Sequence, residues 1–202
     1  GANGYSTFLA AKAARTSVLF AGSNDGMLHA FKDTKAATTA SALTDGQEIF
    51  AYVPRAVYPN LYKLTDKTYG TATMEHQFFV DGPLREADAY VNAPGASTPS
   101  WRNYLVGSLG AGGRAVFALD VTDSMSMGPS SVRWEISNDD DADIGYVLTP
   151  IKVGVLKNGR WVAIFGNGFS STNGYATLFV VDIENAASSN AVVRAAAVKK
   201  LN

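Results

Sequence analysis

Leu19-Phe20-Ala21-Gly22, then Asn24-Asp25-Gly26, then Met27-Leu28-His29-Ala30-Phe31 reads as an apolar strand, a glycine, a turn and a second apolar strand. The chain uses the same grammar twice more. Tyr104-Leu105-Val106-Gly107 passes through Gly110, Gly112 and Gly113 into Val116-Phe117-Ala118-Leu119-Asp120, and Ala163-Ile164-Phe165-Gly166 passes through Thr172-Asn173-Gly174 into Leu178-Phe179-Val180-Val181-Asp182. The anchor glycines stand 85 and 59 residues apart (22 to 107, 107 to 166), as a unit of roughly 40–50 residues carrying insertions would place them. The first two units also end in an amphipathic strand with an aromatic residue, Phe50 or Trp134. Radial repetition of four-stranded sheets is the β-propeller solution to exposed sheet edges. The expected fold is therefore all-β: a modified β-propeller of four-stranded antiparallel blades with a short N-terminal helix. At about 45 residues per blade the chain supplies three to four blades, so an incomplete propeller is expected.

Working outward, strands are expected at 18–22, 27–31, 49–53, 77–80, 104–107, 114–121, 132–136, 151–156, 161–166 and 175–183, where β-branched and aromatic residues cluster between Gly, Asn, Asp and Pro. Ala115, Phe117, Leu119 and Val121 share one face, and Val132, Trp134 and Ile136 face inward with Arg133 and Glu135 toward water, so both strands read as half-buried. Asn158-Gly159, between two apolar runs, predicts a hairpin with a type I′ turn. Residues 5–15 predict a helix from the spacing of Tyr5, Phe8 and Leu9, with Lys12 on the wet side. These readings divide the chain into a helical lead-in at 1–16 and a partial propeller at 17–202. Residues 32–45 and 92–100 read as insertion loops, and 185–202, rich in Ala and Ser, as a frayed or interrupted blade.

Lys and Arg total 17 against 18 Asp and Glu, a net charge of -1 with only 17% charged residues. Nothing here attracts phosphate backbones or anionic lipid, so nucleic acid is not an expected partner. The longest apolar runs fall far short of the roughly 20 residues of a bilayer span, and any export signal is expected outside this sequence. With no cysteine there is no disulfide framework, thiolate nucleophile or zinc–thiolate site.

Chemistry-bearing residues are few. Asn138-Asp139-Asp140-Asp141-Ala142-Asp143 is the densest acidic run, and Asp139, Asp141 and Asp143 are its candidate calcium ligands, since alternate carboxylates supply hard oxygens. Counted from Asp139, however, the sixth and twelfth positions are Ile144 and Pro150 where an EF-hand loop needs Gly and an acidic residue. A solvated loop is the better reading. His29 and His76 have no companions for a zinc site and read as structural. The glycines at 107–113 lead into a strand and lack a Gly-Lys-Ser/Thr ending, which removes a phosphate loop. No serine sits in a Gly-x-Ser-x-Gly elbow. Asp25 and Asp120 read as turn and strand-end carboxylates accepting local N–H bonds, and Trp101, Trp134 and Trp161 as packing between sheets. No catalytic or cofactor-binding residue is assigned.

The ordered series 18–31, Phe50-Ala51-Tyr52-Val53-Pro54-Arg55-Ala56-Val57-Tyr58-Pro59-Asn60-Leu61, Phe79-Val80-Asp81-Gly82, 104–113, 117–122, Trp134-Glu135 and 163–168 resembles the C-terminal domain of the PilC/PilY family of type IV pilus tip and biogenesis proteins. The resemblance implies a non-enzymatic, exported module at the bacterial cell surface, outer membrane or pilus tip. It implies support of pilus assembly, opposition to retraction, and a part in adhesion and twitching motility. The implied partners are pilus components such as minor pilins, and a host or abiotic surface. Calcium is implied by the family alone, and no residue here matches the family's calcium loop. The Arg-Gly-Asp tripeptide of some members is also missing, Arg85 being followed by Glu86 and Arg114 by Ala115. Because Asp-Gly-x-Leu-His-Ala also occurs in quinoprotein propellers, a dehydrogenase using pyrroloquinoline quinone is the alternative, with an envelope scaffold as a third reading.

Overall fold

The computed structural model describes residues 2–33 and 45–201. Most of the expected insertion at 32–45 lies outside the described residues. A nine-residue helix, α1 (Tyr5–Ala13), leads into three antiparallel sheets. The first holds β1 (Ser17–Gly22), β2 (Leu28–Asp33) and β3 (Glu48–Tyr52). The second holds β4 (Leu84–Asn92), β5 (Pro99–Ser108), β6 (Ala115–Asp120) and β7 (Val132–Ser137), and the third holds β8 (Lys152–Val155), β9 (Trp161–Gly166), β10 (Leu178–Asp182) and β11 (Val198–Leu201). Within each sheet the strands lie side by side in chain order. The repeated unit is thus the trio β1-β2-β3, β5-β6-β7 and β9-β10-β11, and β4 and β8 precede the trio in the two four-stranded sheets.

Burial explains why these sheets stack as blades. Along β6 every residue is buried. Ala115, Phe117 and Leu119 join one apolar core with Leu28, Tyr52 and Val57 of the first unit. Val116 and Ala118 join another with Phe165, Phe179 and Val181 of the third sheet. Strand geometry sends alternate side chains to opposite faces, so one strand supplies both cores. The expectation of a half-buried β6 is corrected on this ground: the second sheet is covered on both faces. The same holds for β7, where Glu135 meets the first unit instead of water.

Other differences have local causes. Residues 77–80 form no strand. Instead the Phe79 and Val80 N–H groups donate to the Asn24 side chain and the Ser23 carbonyl at 3.1 and 3.2 Å, and Asp81 N–H to the Leu109 carbonyl at 3.2 Å. The segment stitches the turn of the first sheet to that of the second. β4 was not anticipated because Arg85, Glu86 and Asp88 interrupt its apolar pattern; Lys12 of α1 lies 2.6 Å from Glu86 and 2.7 Å from Asp88, so the helix matches that charge. Lys12 is accordingly not on a free wet face. Over 185–201 the interrupted blade holds and the frayed end does not: α2 (Ala191–Ala196), capped by Asn190, delivers β11 to the edge of the third sheet.

The Asn158-Gly159 hairpin forms between β8 and β9, with a different turn. Leu156 N–H reaches the Arg160 carbonyl at 2.9 Å and Gly159 N–H the Leu156 carbonyl at 2.9 Å, and only Gly159 has positive φ, 83°. That is a three-residue loop with glycine at the left-handed position, which is the next commonest hairpin solution.

The anchor glycines are not equivalent. A Cβ on Gly22 would lie 2.4 Å from the Val80 carbonyl oxygen, whereas one on Gly166 meets nothing within 4 Å. Gly22→Ala is expected to cost about 1–3 kcal/mol in denaturant unfolding and Gly166→Ala less than about 0.5 kcal/mol. Equal costs at the two positions would show that the repeat itself, and not the approach of Val80, selects glycine.

Candidate functional site

The polar side chains concentrate at the seams between sheets. At the first seam Glu135 of β7 accepts hydrogen bonds from the Tyr52 hydroxyl at 2.6 Å and from the Arg55 and Ala56 N–H groups at 2.8 and 2.9 Å. Those two amides open the 3-10 segment Arg55–Thr65, whose first N–H groups have no partner within the helix. A carboxylate there satisfies them and offsets the helix dipole. Burial, then the neighbouring Glu135 charge, pushes the Tyr52 hydroxyl far above its ordinary range. Tyr52 therefore donates throughout the physiological pH range. Sequence reasoning missed Glu135 because its partners lie 79 to 83 positions away.

The acidic run follows β7 at the second seam. Asp140 accepts from Ser137 N–H and hydroxyl at 2.9 and 2.8 Å and pairs with Arg55. Burial opposes ionisation of Asp140, yet the Ser137 bonds and the Arg55 charge hold its pKa below the usual carboxylate value. Lys200 of β11 places its Nζ 3.0 Å from Asp141 and 2.7 Å from Asp143, and Asn173 donates to Asp143 at 2.7 Å. Lys200, then Asn173, lowers the Asp143 pKa, and Asp143, then Asp141, raises that of Lys200. Asp139 is exposed. The structure thus does not gather Asp139, Asp141 and Asp143 around one point: an ammonium group stands beside two of them. Among the described residues no three His, Asp or Glu side chains are placed to hold a metal ion. The loop works as a clasp between the second and third sheets. Thr172 strengthens it, its hydroxyl donating to Asn138 at 2.8 Å.

His29 sits in β2 between two carboxylates, its Nδ1 against Glu48 of β3 and its Nε2 2.9 Å from Asp25 in the preceding turn. Asp25 also accepts from Met27 N–H at 3.0 Å, as expected of a turn carboxylate. Asp120 behaves the same way, accepting from Thr122 N–H at 3.0 Å and pairing with Arg102 at 2.6 Å. The repeat places an equivalent pair, Arg160 with Asp182, at the end of β10. His76 is exposed beside the Tyr69 and Phe78 rings. The glycine-rich turn after β5 contains only the three-residue 3-10 segment Gly110–Gly112, and Ser108 donates to the Val147 carbonyl at 2.7 Å, tying the second sheet to the third. No helix among the described residues is long and apolar enough to cross a membrane.

Two outcomes follow. Glu135→Ala strands a buried hydroxyl and two amides, and an unfolding titration is expected to register a loss of about 1–3 kcal/mol; an unchanged midpoint would contradict the latch. The Glu48 bond, then Asp25, raises the His29 pKa above its ordinary 6.5 against a desolvation cost. A raised folded-state value stabilises below the unfolded value and is lost as pH rises through the folded one. Wild type is therefore expected to lose thermal stability relative to His29→Gln as pH rises from the ordinary 6.5 through the raised folded-state value, and parallel profiles would remove the clamp.

The comparisons with known proteins agree with this architecture. The profile of the PilY1 beta-propeller domain matches residues 1–200. The PilY1 homolog of Xylella fastidiosa, a type IV pilus biogenesis factor, is 42% identical over 181 residues, 89% of this chain and 11% of that protein. Type IV pilus biogenesis factor PilY1 of Pseudomonas aeruginosa is 41% identical over 185 residues, 91% of this chain and 14% of that protein. The crystal structure of the C-terminal domain of Pseudomonas aeruginosa PilY1 superposes with a TM-score of 0.65 at 38% identity, covering 89% of this chain and 30% of that one. The chain spans a small fraction of these relatives, and over its stacked four-stranded sheets it belongs to the PilY1 β-propeller domain family.

Proposed function

We propose that this propeller segment serves a type IV pilus biogenesis factor as a non-enzymatic binding scaffold at the bacterial cell surface, supporting pilus assembly and opposing retraction. The observation that carries the reading is the 41% identity to PilY1 over 91% of the chain, together with the superposition on the PilY1 C-terminal domain at a TM-score of 0.65. Minor pilins and the pilus tip are the partners this reading calls for, with a host or abiotic surface as the target in adhesion and twitching. The side chains support a scaffold: His29, Glu135, Asp140, Asp141 and Asp143 are each held by neighbouring groups of the fold. The reading calls for no cofactor within the segment, and the pairing of Arg55 with Asp140 and of Lys200 with Asp141 is in keeping with it.

The quinoprotein reading loses its motif. His29 of the Asp-Gly-x-Leu-His-Ala run is engaged by Asp25 and Glu48, so the run explains a turn and a strand pair without a quinone. The test is to delete the segment in the source bacterium and count surface pili with the retraction motor present and absent. Loss of pili only when retraction is active is the expected result. Unchanged piliation in both backgrounds would overturn the proposal.

A further inference from the structure

The three sheets share a strand trio, but only two carry a strand in front of it. β4 lies along the edge of β5 and β8 along the edge of β9, whereas β1, the equivalent of β5 and β9, ends the first sheet. The register shows that this edge is open. Lys32 N–H donates to the Gln47 carbonyl and the Lys32 carbonyl accepts from Gly46 N–H, both at 2.9 Å, so Lys32 directs its backbone groups toward β3. Antiparallel ladders alternate between bonded and unbonded pairs, and Val18 lies directly opposite Lys32. Val18 and, two residues on, Phe20 therefore turn their N–H and C=O groups away from β2. Neither finds a backbone partner on that side among the described residues.

Beside that edge lies an open cleft of about 640 Å³, lined by Val18 and Phe20 of the first sheet, Leu84 and Leu105 of the second, and Leu9 and Lys12 of α1. At the next seam the corresponding place holds a strand. There β8 packs against β4, and its Val153 lies against the core to which Ala89 and Val91 belong. β8 is four residues long and, Lys152 apart, holds only Val and Gly. The residues before β1 do not fill the first place, because α1 is tied to β4 instead, Tyr5 and Lys12 both bonding to Asp88. The edge is also unguarded. Charges, prolines and bulges keep natural edge strands from pairing, and each of the other edge strands carries a charge, from Glu48 of β3 to Lys199 and Lys200 of β11. β1, Ser-Val-Leu-Phe-Ala-Gly, has neither charge nor proline, and it pairs with β2 without a bulge.

We propose that the β1 edge receives a short antiparallel β-strand from outside residues 1–202 of the same polypeptide, bonded to the N–H and C=O groups of Val18 and Phe20 and turning small apolar side chains toward Leu84 and Leu105. Strand addition of this kind draws affinity from main-chain bonds and specificity from the spaces that receive alternate side chains. The repeat argues for a strand of the same polypeptide, since β4 and β8 are both such strands. The matched part is 30% of the PilY1 C-terminal domain chain, so a protein of that size has ample chain to supply one. The proposal concerns how the first sheet is completed and goes beyond pilus assembly. Piliation does not enter its test, so its failure leaves the proposed function standing.

The test uses the full-length protein from the source bacterium, at concentrations where light scattering reports a monomer. Hydrogen exchange is read at single residues on the unmodified protein, and a second sample carries the photo-cross-linker p-benzoylphenylalanine in place of Val18. The Val18 and Phe20 amides are expected to exchange on the order of 100-fold more slowly than exposed loop amides. Irradiation is expected to join position 18 to a peptide from outside residues 1–202 of the same molecule, identified by mass spectrometry. Exchange at Val18 and Phe20 as fast as in the loops, cross-links confined to residues 1–202, or cross-links to a second molecule would each overturn the proposal.

Discussion

The rest of the structure depends on the burial of β6 from both sides. A sheet in a small β protein ordinarily has one dry face and one wet face. Here Phe117 and Leu119 belong to the core shared with the first unit, and Val116 and Ala118 to the core shared with the third sheet. Each large side chain so buried contributes roughly 1.5–3 kcal/mol, and the contributions on the two faces cannot be separated, because the same backbone carries both. The middle blade therefore fixes where its neighbours sit, and with them the seams at which the polar chemistry lies.

Those seams are polar at their rims and apolar at their centres. Glu135, Arg55, Lys200 and Asn92 each reach from one sheet to groups on the next. Bonds of this kind add modestly to stability but strongly to register, since a buried partner left alone costs more than the bond gained. Two apolar faces slide; a carboxylate held by three donors does not. Most of the charged residues that looked available for chemistry are used in this way, which is why the fold reads as a scaffold.

The repeat was legible because its signals are local: a glycine, a turn and two apolar strands recur within about twenty residues, and Phe50 and Trp134 mark the strand that follows. The helix and the 158–159 hairpin were legible for the same reason, although the turn type was not, since a glycine with positive φ serves both two- and three-residue loops. β4 was hidden because the charge that breaks its alternation is matched by Lys12, some 76 positions earlier. The Lys200 clasp was hidden because only the pairing of β10 with β11 brings it to Asp141 and Asp143. In sequence alone those aspartates look like unclaimed oxygen ligands. The water-facing role expected of Glu135 failed because a two-state pattern of inward and outward assumes that one face is wet, and in this blade neither is.

Native-state hydrogen exchange on the chain tests the doubly covered middle blade most directly, since amides in the most cooperatively held element open only with global unfolding. The slowest exchange is predicted across residues 115–120, with the flanking strands β5 and β7 close behind and the sheet-edge strands β1 and β11 fastest. If residues 115–120 exchange as fast as β1 or β11, or if the third sheet protects independently of the second, the blades are held separately and the account of one shared, two-faced core is wrong.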